Sequence, residues 1–503
     1  MKKRFITTFA GVCLLSMLAS CTPTVYEDVT LPKDDPTSPI TIKFWHCLGH
    51  DKAENLDKIV SDFNATYKGK YEVVAEKVAG GYDELHDNIK TKLAANEVPA
   101  LAMGYPDSFS EYITSNINES TIVRADTFMD DPEFGYTQAQ KDDFVDQFLA
   151  EGQNYQFEGT WSLPMYKSTE IMYYNENYFS GDNPQTINKF KNNAEYISKL
   201  KDVSDLASKV TSVELKALKD WCKENGGYTY EVPVKWDDMF STSREMLADL
   251  KTEGLDKNEF YPVGYDSDAN MFISQFAQRG IPYTVNNEET SVDPSKHFAF
   301  NTPEAKNVLE EVTGLVNDKL LITKGTLGGA KYTNEYFGQG KLAMSIGSTG
   351  GSSYQISSNF KVSLAAVPYS GDTPKYIMQG PSICFFNNGD PYYAKGAWLF
   401  YKEMSDPTNN AELALENSYD PIMESSYETE SYKSFVAKHD LGLNYNIPYY
   451  TQQIKQYYMT SPVFIGSSTA RGEMDKLLQY VIASKMSVDS AFEAAINACN
   501  MAV

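Results

Sequence analysis

Residues 162–175 read Ser-Leu-Pro-Met-Tyr-Lys-Ser-Thr-Glu-Ile-Met-Tyr-Tyr-Asn. The second half is a short apolar and aromatic run, residues 171–174, which is typical of a buried strand. In the first half, Pro164 favours extended backbone at the residue before it. Small polar residues separate the two halves, so we predict that the chain crosses here from one lobe to another, with the polar loop facing a cleft. An ordinary strand within a single sheet is the alternative.

The chain before this stretch alternates strand patterns with helix patterns. Apolar and polar residues alternate over residues 40–46, and short apolar runs follow at 71–75 and 99–103, with apolar residues at helical spacing between them. This β-α-β-α-β order predicts an α/β fold with a mainly parallel sheet flanked by helices. Ligands of such sheets bind at the carboxyl ends of the strands. The residues at those ends are His46, Tyr82 and 105–107.

The rest of the body continues this alternation. We predict helices that begin at Trp236 and at Pro303, the latter with Thr302 as N-cap, and further helices at residues 394–401, 474–482 and 488–498. Predicted strands lie at residues 261–265, 342–346, 362–368 and 382–386. A turn is predicted before the second of these strands. Residues 188–232 are rich in lysine, glutamate and serine, which predicts a helical hairpin inserted at the surface.

The N-terminus has the features of an export signal over residues 1–20, with three basic residues and then an apolar run too short to span a bilayer. Leu18-Ala19-Ser20-Cys21 resembles the lipobox of bacterial lipoproteins, so Cys21 is the predicted lipidation site. Several acyl chains would anchor the protein stably to the cell membrane. Residues 21–39 are rich in proline and are predicted to be a lipidated tether. A plain secretory signal with a chance cysteine is the alternative.

The charge and the length of the chain narrow the class of protein. The formal net charge is −24, and no basic stripe is present. Such a surface repels nucleic acid and anionic lipid, so we expect no nucleic-acid partner. The 503 residues suffice for two or three domains of about 150 residues each.

Two features suit a sugar, polyol or phosphate ligand. The sequence has 35 tyrosines, and a tyrosine offers a flat apolar face together with a hydroxyl group, although most of them are expected to lie in the core or on the surface. The glycine- and serine-rich residues 347–353 offer backbone N–H groups without side-chain bulk. A flexible turn is the alternative for that loop.

The sequence lacks motifs for catalysis, metal binding and nucleotide binding. Its five histidines have no ligand spacing, and the GxGxxA match at residues 338–343 precedes a strand where the nucleotide motif requires a helix. We therefore predict a protein that is not an enzyme and that uses no metal or cofactor. Four cysteines lie far apart in the body, which leaves open whether any two of them pair: Cys47, Cys222, Cys384 and Cys499.

The order and spacing of several segments resemble the extracellular solute-binding proteins of ABC importers, the group that includes maltose-binding protein. The likeness is greatest to the sn-glycerol-3-phosphate-binding members and runs through residues 40–503, apart from the insertion at 188–232. The segments are Phe44-Trp45-His46, Gly81-Tyr82, residues 164–175, Trp236-Asp237-Asp238, residues 337–350, Gly380 with Ser382, residues 419–421 and Arg471.

The resemblance implies a two-lobed periplasmic-binding-protein-like fold, each lobe a mainly parallel sheet flanked by helices, with the ligand cleft at the hinge. Lobe one would comprise residues 40–160 and 350–405, and lobe two residues 164–346 and 410–503. The protein would be a monomeric, lipid-anchored binding subunit outside the cytoplasm. It would deliver glycerol 3-phosphate, a related glycerophosphodiester, a sugar or a polyol to ABC permease subunits, and ligand binding would close the lobes.

By position, the resemblance assigns ligand contacts to seven residues: Tyr82, Asp107, Ser168, Ser348, Gly380, Tyr419 and Arg471. This sequence departs from the family pattern in two places. The family's acidic contact falls near Pro106 and Asp107, so Asp107 stands in for it. Ala269 and Phe272 lie where the family has two tryptophans.

Arg471 precedes a helical pattern that begins near Met474, so we expect it at the start of a helix, where free N–H groups also favour an anion. Its planar guanidinium could bind two phosphate oxygens at once. The alternative is a surface arginine that pairs with a neighbouring acid such as Glu473 or Asp475.

Other functions stay open at this level. A surface-anchored carbohydrate-active hydrolase would need two carboxylates about 5–9.5 Å apart across the cleft. A binding protein for a neutral oligosaccharide would have the same fold and differ only in its ligand. An adhesin-like surface protein would lack a small-molecule site.

Overall fold

The computed structural model describes residues 29–49, 52–95, 97–114, 122–179, 230–252, 260–329 and 331–503. The predicted signal peptide, Cys21 and residues 188–229 of the predicted insertion lie outside the described residues. Two sheets with helices around them form two lobes. No helix in the described part of the chain is both long enough and apolar enough to cross a membrane.

The strands are β1 Ile40–His46, β2 Tyr71–Lys77, β3 Leu101–Gly104, β4 Ile122–Val123, β5 Leu163–Pro164, β6 Ser168–Asn175, β7 Tyr261–Tyr265, β8 Leu321–Thr323, β9 Leu342–Ser348, β10 Val362–Ala365, β11 Tyr376–Gln379, β12 Ser382–Phe386 and β13 Tyr458–Met459. The α-helices are α1 Glu54–Thr66, α2 Tyr82–Ala94, α3 Pro106–Thr114, α4 Ala125–Met129, α5 Gln138–Lys141, α6 Asp146–Glu151, α7 Glu176–Phe179, α8 Trp236–Thr252, α9 Asp268–Arg279, α10 Glu288–Val292, α11 Pro303–Asn317, α12 Asn334–Gly338, α13 Pro391–Met404, α14 Pro407–Glu416, α15 Glu430–Val436, α16 Leu443–Ile454, α17 Ser467–Ile482 and α18 Val488–Asn500.

The sheet of lobe one has the strand order β2-β1-β3-β12-β4, and β5 also pairs with β12. Strands β1, β2 and β3 are parallel, as the β-α-β-α-β pattern predicted, because a helix returns the chain between each pair. Strand β12 is antiparallel to β3, β4 and β5. This sheet is therefore mixed, because the strand that enters from the other lobe runs in the opposite direction.

The sheet of lobe two has the strand order β13-β11-β6-β9-β7-β8, with β10 also paired to β6. The pairs β7/β8, β7/β9 and β11/β13 are parallel. Strand β6 is antiparallel to β9, β10 and β11. The mainly parallel character that the sequence predicted holds only for the strands joined by helices, since β6 also enters from the other lobe.

The predicted crossing at residues 162–175 is confirmed. Strand β5 pairs with β12 in lobe one, where Pro164 lies opposite Ser382, and β6 pairs with β9 in lobe two. Ile171, Met172 and Tyr173 are fully buried in β6. Residues 165–167 carry the chain between the lobes and are buried. The prediction of a polar loop that faces the cleft is wrong, because Ser168 and Thr169 belong to β6 and are buried there.

Two further segments connect the lobes beside this crossing. Strand β11 in lobe two runs through Gly380 and Pro381 into β12 in lobe one, and Met165 N donates to Pro381 O at 3.1 Å. Lys167 N donates to Asp420 O at 3.0 Å, which joins the crossing to the segment after α14. Backbone hydrogen bonds therefore tie the connections together at one hinge.

The predicted segment boundaries of the lobes need correction. Strands β10 and β11 fall within residues 350–405, which the sequence assigned to lobe one, yet both pair with β6 of lobe two. Helix α14 packs against α1 of lobe one, whereas lobe two was predicted from residue 410 onward. Short apolar strands suit either core, and their pairing partners, which the sequence does not show, decide the lobe.

Most predicted helix boundaries hold. Thr302 caps α11, because its Oγ1 accepts from Ala305 N at 3.1 Å, and Pro303 is the first residue of that helix. The predicted turn before β9 lies at residues 339–340, and a short helix, α12, precedes it. The glycine- and serine-rich loop predicted at residues 347–353 overlaps a 3₁₀ helix, Thr349–Tyr354, that follows β9 directly.

Part of the predicted tether is docked on lobe one. Leu31 is buried in the core, and the buried Lys395 of α13 donates to Pro32 O at 2.9 Å and Asp34 O at 3.1 Å. Lys70 pairs with Asp35 at 2.6 Å. A buried lysine needs partners for its ammonium group, and these carbonyls supply them. The prediction of a free tether over residues 21–39 is therefore wrong for residues 31–35.

Candidate ligand-binding cleft

A cavity of about 150 Å³ lies between the lobes, beside the hinge. Lobe one contributes the end of β3 and the start of α3, and lobe two contributes α9, α17 and β11. The lining residues are Tyr105, Pro106, Asp107, Glu151, Ile273, Tyr283, Thr284, Ile377, Met378, Gln379, Gly380, Thr460, Ser461, Pro462, Val463, Ser467 and Arg471. A molecule in this cavity would contact both lobes, as lobe closure around a ligand requires.

Four tyrosines cluster at one side of the cavity. The rings of Tyr82 and Tyr105 lie 4.3 Å apart between centroids, and those of Tyr166 and Tyr419 lie 4.5 Å apart. Burial raises the pKa of Tyr419 to about 12, while the neighbouring Tyr82 hydroxyl lowers it. The cluster therefore presents neutral hydroxyls and aromatic faces from lobe one and from the hinge, a combination that suits a hydroxyl-rich ligand.

Two glycines, Gly350 and Gly380, leave the space that the Tyr419 ring occupies. A Cβ on Gly350 would lie 2.5 Å from the Tyr419 hydroxyl, and a Cβ on Gly380 would lie 2.7 Å from Tyr166 O. Gly380 also has φ of 105°, in the left-handed region that favours glycine. Lys52 of lobe one donates to Gly350 O at 3.0 Å, so the lobes also contact each other at this rim.

Arg471 and Asp107 face the cavity from opposite lobes. Arg471 lies on α17, where its Nη2 donates to Asn270 Oδ1. Asp107 lies in the first turn of α3, and its Oδ1 accepts from Ser108 N at 3.0 Å. Burial raises the pKa of Asp107, and the positive charge of Arg471 opposes that shift. The cavity therefore offers a cation and an acceptor group to a single small molecule.

Four buried polar atoms around the cavity have no hydrogen-bond partner within the described residues: the Tyr166 hydroxyl, Ser168 Oγ, Thr284 Oγ1 and Gln379 Oε1. An unsatisfied buried polar group costs about 1–3 kcal/mol. Thr284 and Gln379 line the cavity directly. A ligand with hydroxyl or phosphate oxygens would supply the missing partners, which is a common arrangement in sites for polar molecules.

Lys167 supports the cavity from the hinge. Its side chain is fully buried, and its Nζ donates to Glu151 Oε2, to Ser382 Oγ at 2.9 Å and to Gly380 O at 3.2 Å. One ammonium group thus joins α6 of lobe one to two of the connections between the lobes. Its three donors are all used, so Lys167 acts on the hinge rather than on a ligand.

Metal binding finds no support in this part of the chain. Within the described residues, no group of three or more His, Cys, Asp and Glu side chains could hold a metal ion. Cys47, Cys384 and Cys499 are free thiols, and Cys222 lies outside the described residues. His46 is buried, and burial lowers its pKa to about 4.

The family model of bacterial extracellular solute-binding proteins matches residues 58–438. The chain belongs to this family. It is therefore a solute-binding protein that functions outside the cytoplasm, and a binding protein rather than an enzyme. The family resemblance drawn from the sequence is confirmed. A search of curated proteins finds no matching sequence.

Solved structures of other solute-binding proteins share the fold at low sequence identity. The cyclic alpha-maltosyl-1,6-maltose binding protein of Arthrobacter globiformis is 17% identical with a TM-score of 0.62, covering 92% of this chain and 99% of its own. UgpB of Mycobacterium tuberculosis, solved with glycerophosphocholine, is 14% identical with a TM-score of 0.65, covering 92% and 98%. MalE of Bdellovibrio bacteriovorus, bound to maltotriose, is 14% identical with a TM-score of 0.62, covering 92% and 99%.

The structure of this solute-binding protein brings six of the seven predicted contact residues to the cleft. Tyr82, Ser168 and Tyr419 lie in or beside the tyrosine cluster, while Asp107 and Arg471 line the cavity. The sixth, Gly380, lies between these two groups and borders both. Their roles as ligand contacts stay predictions.

Ser348 lies off the cavity. Its Oγ accepts from Gly350 N at 3.2 Å and caps the 3₁₀ helix, and its carbonyl accepts from the Tyr173 hydroxyl at 3.1 Å. The predicted loop is thus a capped turn that sets Gly350 against Tyr419. The role of Ser348 as a ligand contact also stays a prediction.

The predicted place of Arg471 at a helix start is wrong. Helix α17 begins at Ser467 after Gly466, so Arg471 lies a full turn inside it. The alternative pairings with Glu473 and Asp475 are also absent from the described structure, where Glu473 accepts from Lys476 and Asp475 from Ala269 N. Sequence reasoning placed the helix from its apolar residues and missed the small polar first turn.

Sequence reasoning also missed several cavity residues. Tyr283, Thr284, Gln379 and residues 460–463 line the cavity, yet each lies in a short strand or an irregular segment without a motif. Tyr283 belongs to no sequence motif, so only its place in the fold identifies it as a cavity residue. Ala269 and Phe272, where the family has tryptophans, are buried and do not line the cavity.

Proposed function

We propose that this solute-binding protein is the substrate-binding subunit of an ABC importer and captures a phosphorylated polyol, either glycerol 3-phosphate or a related glycerophosphodiester. The observation that carries the proposal is Arg471 on the wall of a cavity in which the buried Thr284 Oγ1 and Gln379 Oε1 lack partners within the described residues. An arginine binds phosphate through two parallel N–H groups, which a neutral sugar does not require.

The guanidinium of Arg471 is suited to receive such an anion. Within the described residues it makes one hydrogen bond, to Asn270 Oδ1, so its other N–H groups are free for phosphate oxygens. Thr284 Oγ1 lines the same cavity and could donate a further hydrogen bond. Together they would replace the water that a phosphate loses on entering the cleft.

The remaining groups suit the polyol part of the ligand. Gln379 Oε1 and the Asp107 carboxylate can accept hydrogen bonds from ligand hydroxyls. The faces of Tyr82 and Tyr105 offer a flat surface to the carbon chain. UgpB, solved with glycerophosphocholine, combines this fold with a phosphodiester ligand, which supports the proposal by analogy.

A neutral oligosaccharide is the second candidate. The tyrosine cluster favours it, because aromatic faces suit sugar rings, and MalE of Bdellovibrio bacteriovorus was solved with maltotriose. The hydrolase alternative is not retained, because the family binds solutes and Glu151, which shares the cavity with Asp107, is held by Lys167. An adhesin without a ligand site does not fit the cavity.

Arg471→Ala tests the phosphate assignment. We expect it to weaken binding of glycerol 3-phosphate and glycerophosphocholine by ~2–4 kcal/mol, because a charged hydrogen-bond partner is lost. Titration calorimetry with these two compounds and with maltotriose measures the effect. Arg279→Ala is the matched control, since Arg279 pairs with Glu311 away from the cavity.

A parent protein that prefers maltotriose, or an Arg471→Ala variant that binds phosphate compounds as well as the parent does, would contradict the assignment. The oligosaccharide would then be the better proposal. Binding of neither class would leave no support for a phosphorylated polyol.

We also propose that Cys21 carries the lipid anchor. Residues 31–35 are docked on lobe one, so few residues separate Cys21 from the body. From Cys21 to Val29 the chain can reach at most about 29 Å. Cys21→Ser should move the protein from the membrane fraction to the soluble fraction, as measured by fractionation and immunoblotting. A variant that still sediments with membranes would refute the anchor.

A further inference from the structure

Arg471 stands at the end of a buried chain of hydrogen bonds. Its Nη2 donates to Asn270 Oδ1, and Asn270 Nδ2 donates to Glu170 Oε1 at 2.8 Å. The Tyr265 hydroxyl donates to Glu170 Oε2 at 2.6 Å. Glu170 is 3% exposed, Asn270 2% and Tyr265 1%, so water cannot substitute for these partners. The chain thus joins β6, β7, α9 and α17.

The carboxylate of Glu170 decides which way the Asn270 amide points. An ionised carboxylate can only accept hydrogen bonds, so the NH₂ group of Asn270 must face Glu170. The amide oxygen is then turned toward α17, where it accepts from Arg471. A flipped amide would place two sets of donors, the NH₂ group and the guanidinium, against each other.

We propose that Glu170 and Asn270 are positioning residues that hold the Arg471 guanidinium toward the cavity and so set the preference for anionic over neutral ligands. The inference rests on the proposed contact between Arg471 and a phosphate. Glu170 itself lies in strand β6, directly after the crossing, and does not line the cavity. It acts on Arg471 through the hydrogen bond of Asn270 and through its charge, which makes it distinct from the contact residues.

The charge around Glu170 gives the inference a pH dependence. Burial raises the pKa of Glu170 to about 7, and hydrogen bonds with Tyr265 and Asn270 together with the charge of Arg471 lower it. The charge of Asp266, at the end of β7, raises it further. Below that pH a protonated Glu170 can donate, the Asn270 amide is no longer held in one orientation, and anion affinity should fall. The ionised form, present above that pH, positions Arg471.

The test is a double-mutant cycle on the full mature chain. Glu170→Gln should lower the affinity for glycerophosphocholine roughly tenfold, and Asn270→Leu should do the same, while neither adds to the loss in an Arg471→Ala background. A phosphodiester is the probe because, unlike a phosphate monoester, it does not titrate near pH 6. In the parent, affinity should fall from pH 8 to pH 5.5, and Glu170→Gln should remove that dependence.

Asp268→Asn is the matched control. Like Glu170, Asp268 is a buried carboxylate, but it lies on α9. It accepts hydrogen bonds from Thr323 Oγ1 at 2.6 Å and Gly325 N at 2.8 Å instead of from Asn270. Its substitution should leave glycerophosphocholine affinity within about twofold of the parent. Thermal unfolding is measured for every variant to identify any that fails to fold. If Glu170→Gln does not fold, the cycle is carried out with Asn270→Leu and Arg471→Ala alone.

Two results would overturn the inference. One is a Glu170→Gln variant that binds glycerophosphocholine like the parent. The other is a loss of affinity in Glu170→Gln that adds in full to the loss in Arg471→Ala, because a general structural effect would be independent of Arg471. A parent that binds maltotriose but not the phosphodiester would instead refute the proposed function. A crystal structure of Glu170→Gln then decides the inference: a guanidinium turned away from Asn270 supports it, and an unmoved one refutes it.

Discussion

Gly350 and Gly380 are required by what lies opposite them in the cleft. Neither position shows its role in the sequence, since Gly350 belongs to a run of small residues and Gly380 to a short connection. In the fold, both lie against Tyr166 or Tyr419, and a methyl group would collide with a backbone oxygen or a tyrosine hydroxyl. The site therefore needs glycine at both positions, because the backbone there lies too close to the tyrosine cluster for a side chain.

Gly350→Ala should therefore disturb the tyrosine cluster. The added Cβ would lie 2.5 Å from the Tyr419 hydroxyl, so the ring must shift, and overpacking of this kind costs about 1–3 kcal/mol. We expect a lower free energy of unfolding in urea and a lower ligand affinity. Gly351→Ala is the control, since a Cβ there meets nothing within 4 Å. Equal behaviour of the two variants would contradict the prediction.

At the scale of elements, the crossings hold the two lobes at a fixed hinge. Strand β6 was predicted from its apolar run, and its place between β9, β10 and β11 makes it the strand on which three others pair in lobe two. Lys167, in the loop before β6, is the group that bonds both to α6 and to the neighbouring connection. A hinge built in this way can bend without separating its connections.

Lys167→Met should destabilise the protein strongly. It removes one partner of a buried ion pair and leaves Glu151, which is 8% exposed, without its cation, a change that costs about 3–5 kcal/mol. Urea unfolding measures the loss. Lys43→Met removes an exposed pair with Glu76 and should change stability by less than about 1 kcal/mol. Similar losses of stability in both variants would show that the buried ion pair of Lys167 contributes no more than an exposed one.

The whole molecule combines an acidic surface with buried carboxylates. Burial raises the pKa of Glu170 to about 7 and those of Asp268 and Asp420 to about 6. Asp420 lies at the hinge, where it accepts from the Tyr458 hydroxyl at 2.8 Å. In the unfolded chain such groups titrate near pH 4. The folded state therefore binds their protons more tightly than the unfolded state does.

Stability should consequently be higher at pH 5 than at pH 8. As the pH falls through 7 and 6, the folded protein takes up protons on these three carboxylates before the unfolded chain does, so the free energy of unfolding rises until the unfolded chain also titrates. The buried His46, whose pKa is lowered to about 4, opposes this rise, but it is one group against three. The net charge of −24 acts in the same direction, because self-repulsion weakens as carboxylates are neutralised. Urea unfolding at the two pH values measures this.

Substitution of the buried carboxylates provides the control for that prediction. Asp268→Asn and Asp420→Asn remove groups whose pKa is raised, so together they should flatten the rise between pH 8 and pH 5. Equal stability of the parent at both pH values, or an unchanged rise in the double variant, would mean that these groups do not govern the pH dependence.

The sequence alone determined the family, the alternation of strands and helices, and the crossing at residues 162–175. These depend on local periodicity and on which residues are apolar, and both can be read along the chain. It also identified Arg471, Asp107, Tyr82 and Tyr419 as residues of the cleft through the family pattern.

Only the tertiary structure decided how these pieces meet. The pairing of β10 and β11 with β6, the docking of residues 31–35 and the chain from Glu170 to Arg471 all join segments that are distant in sequence. Their residues carry no local pattern, because a buried carboxylate or a short apolar strand can be satisfied by any partner that the fold brings near. The position of Arg471 in the cleft therefore depends on contacts that form only when lobe two is folded.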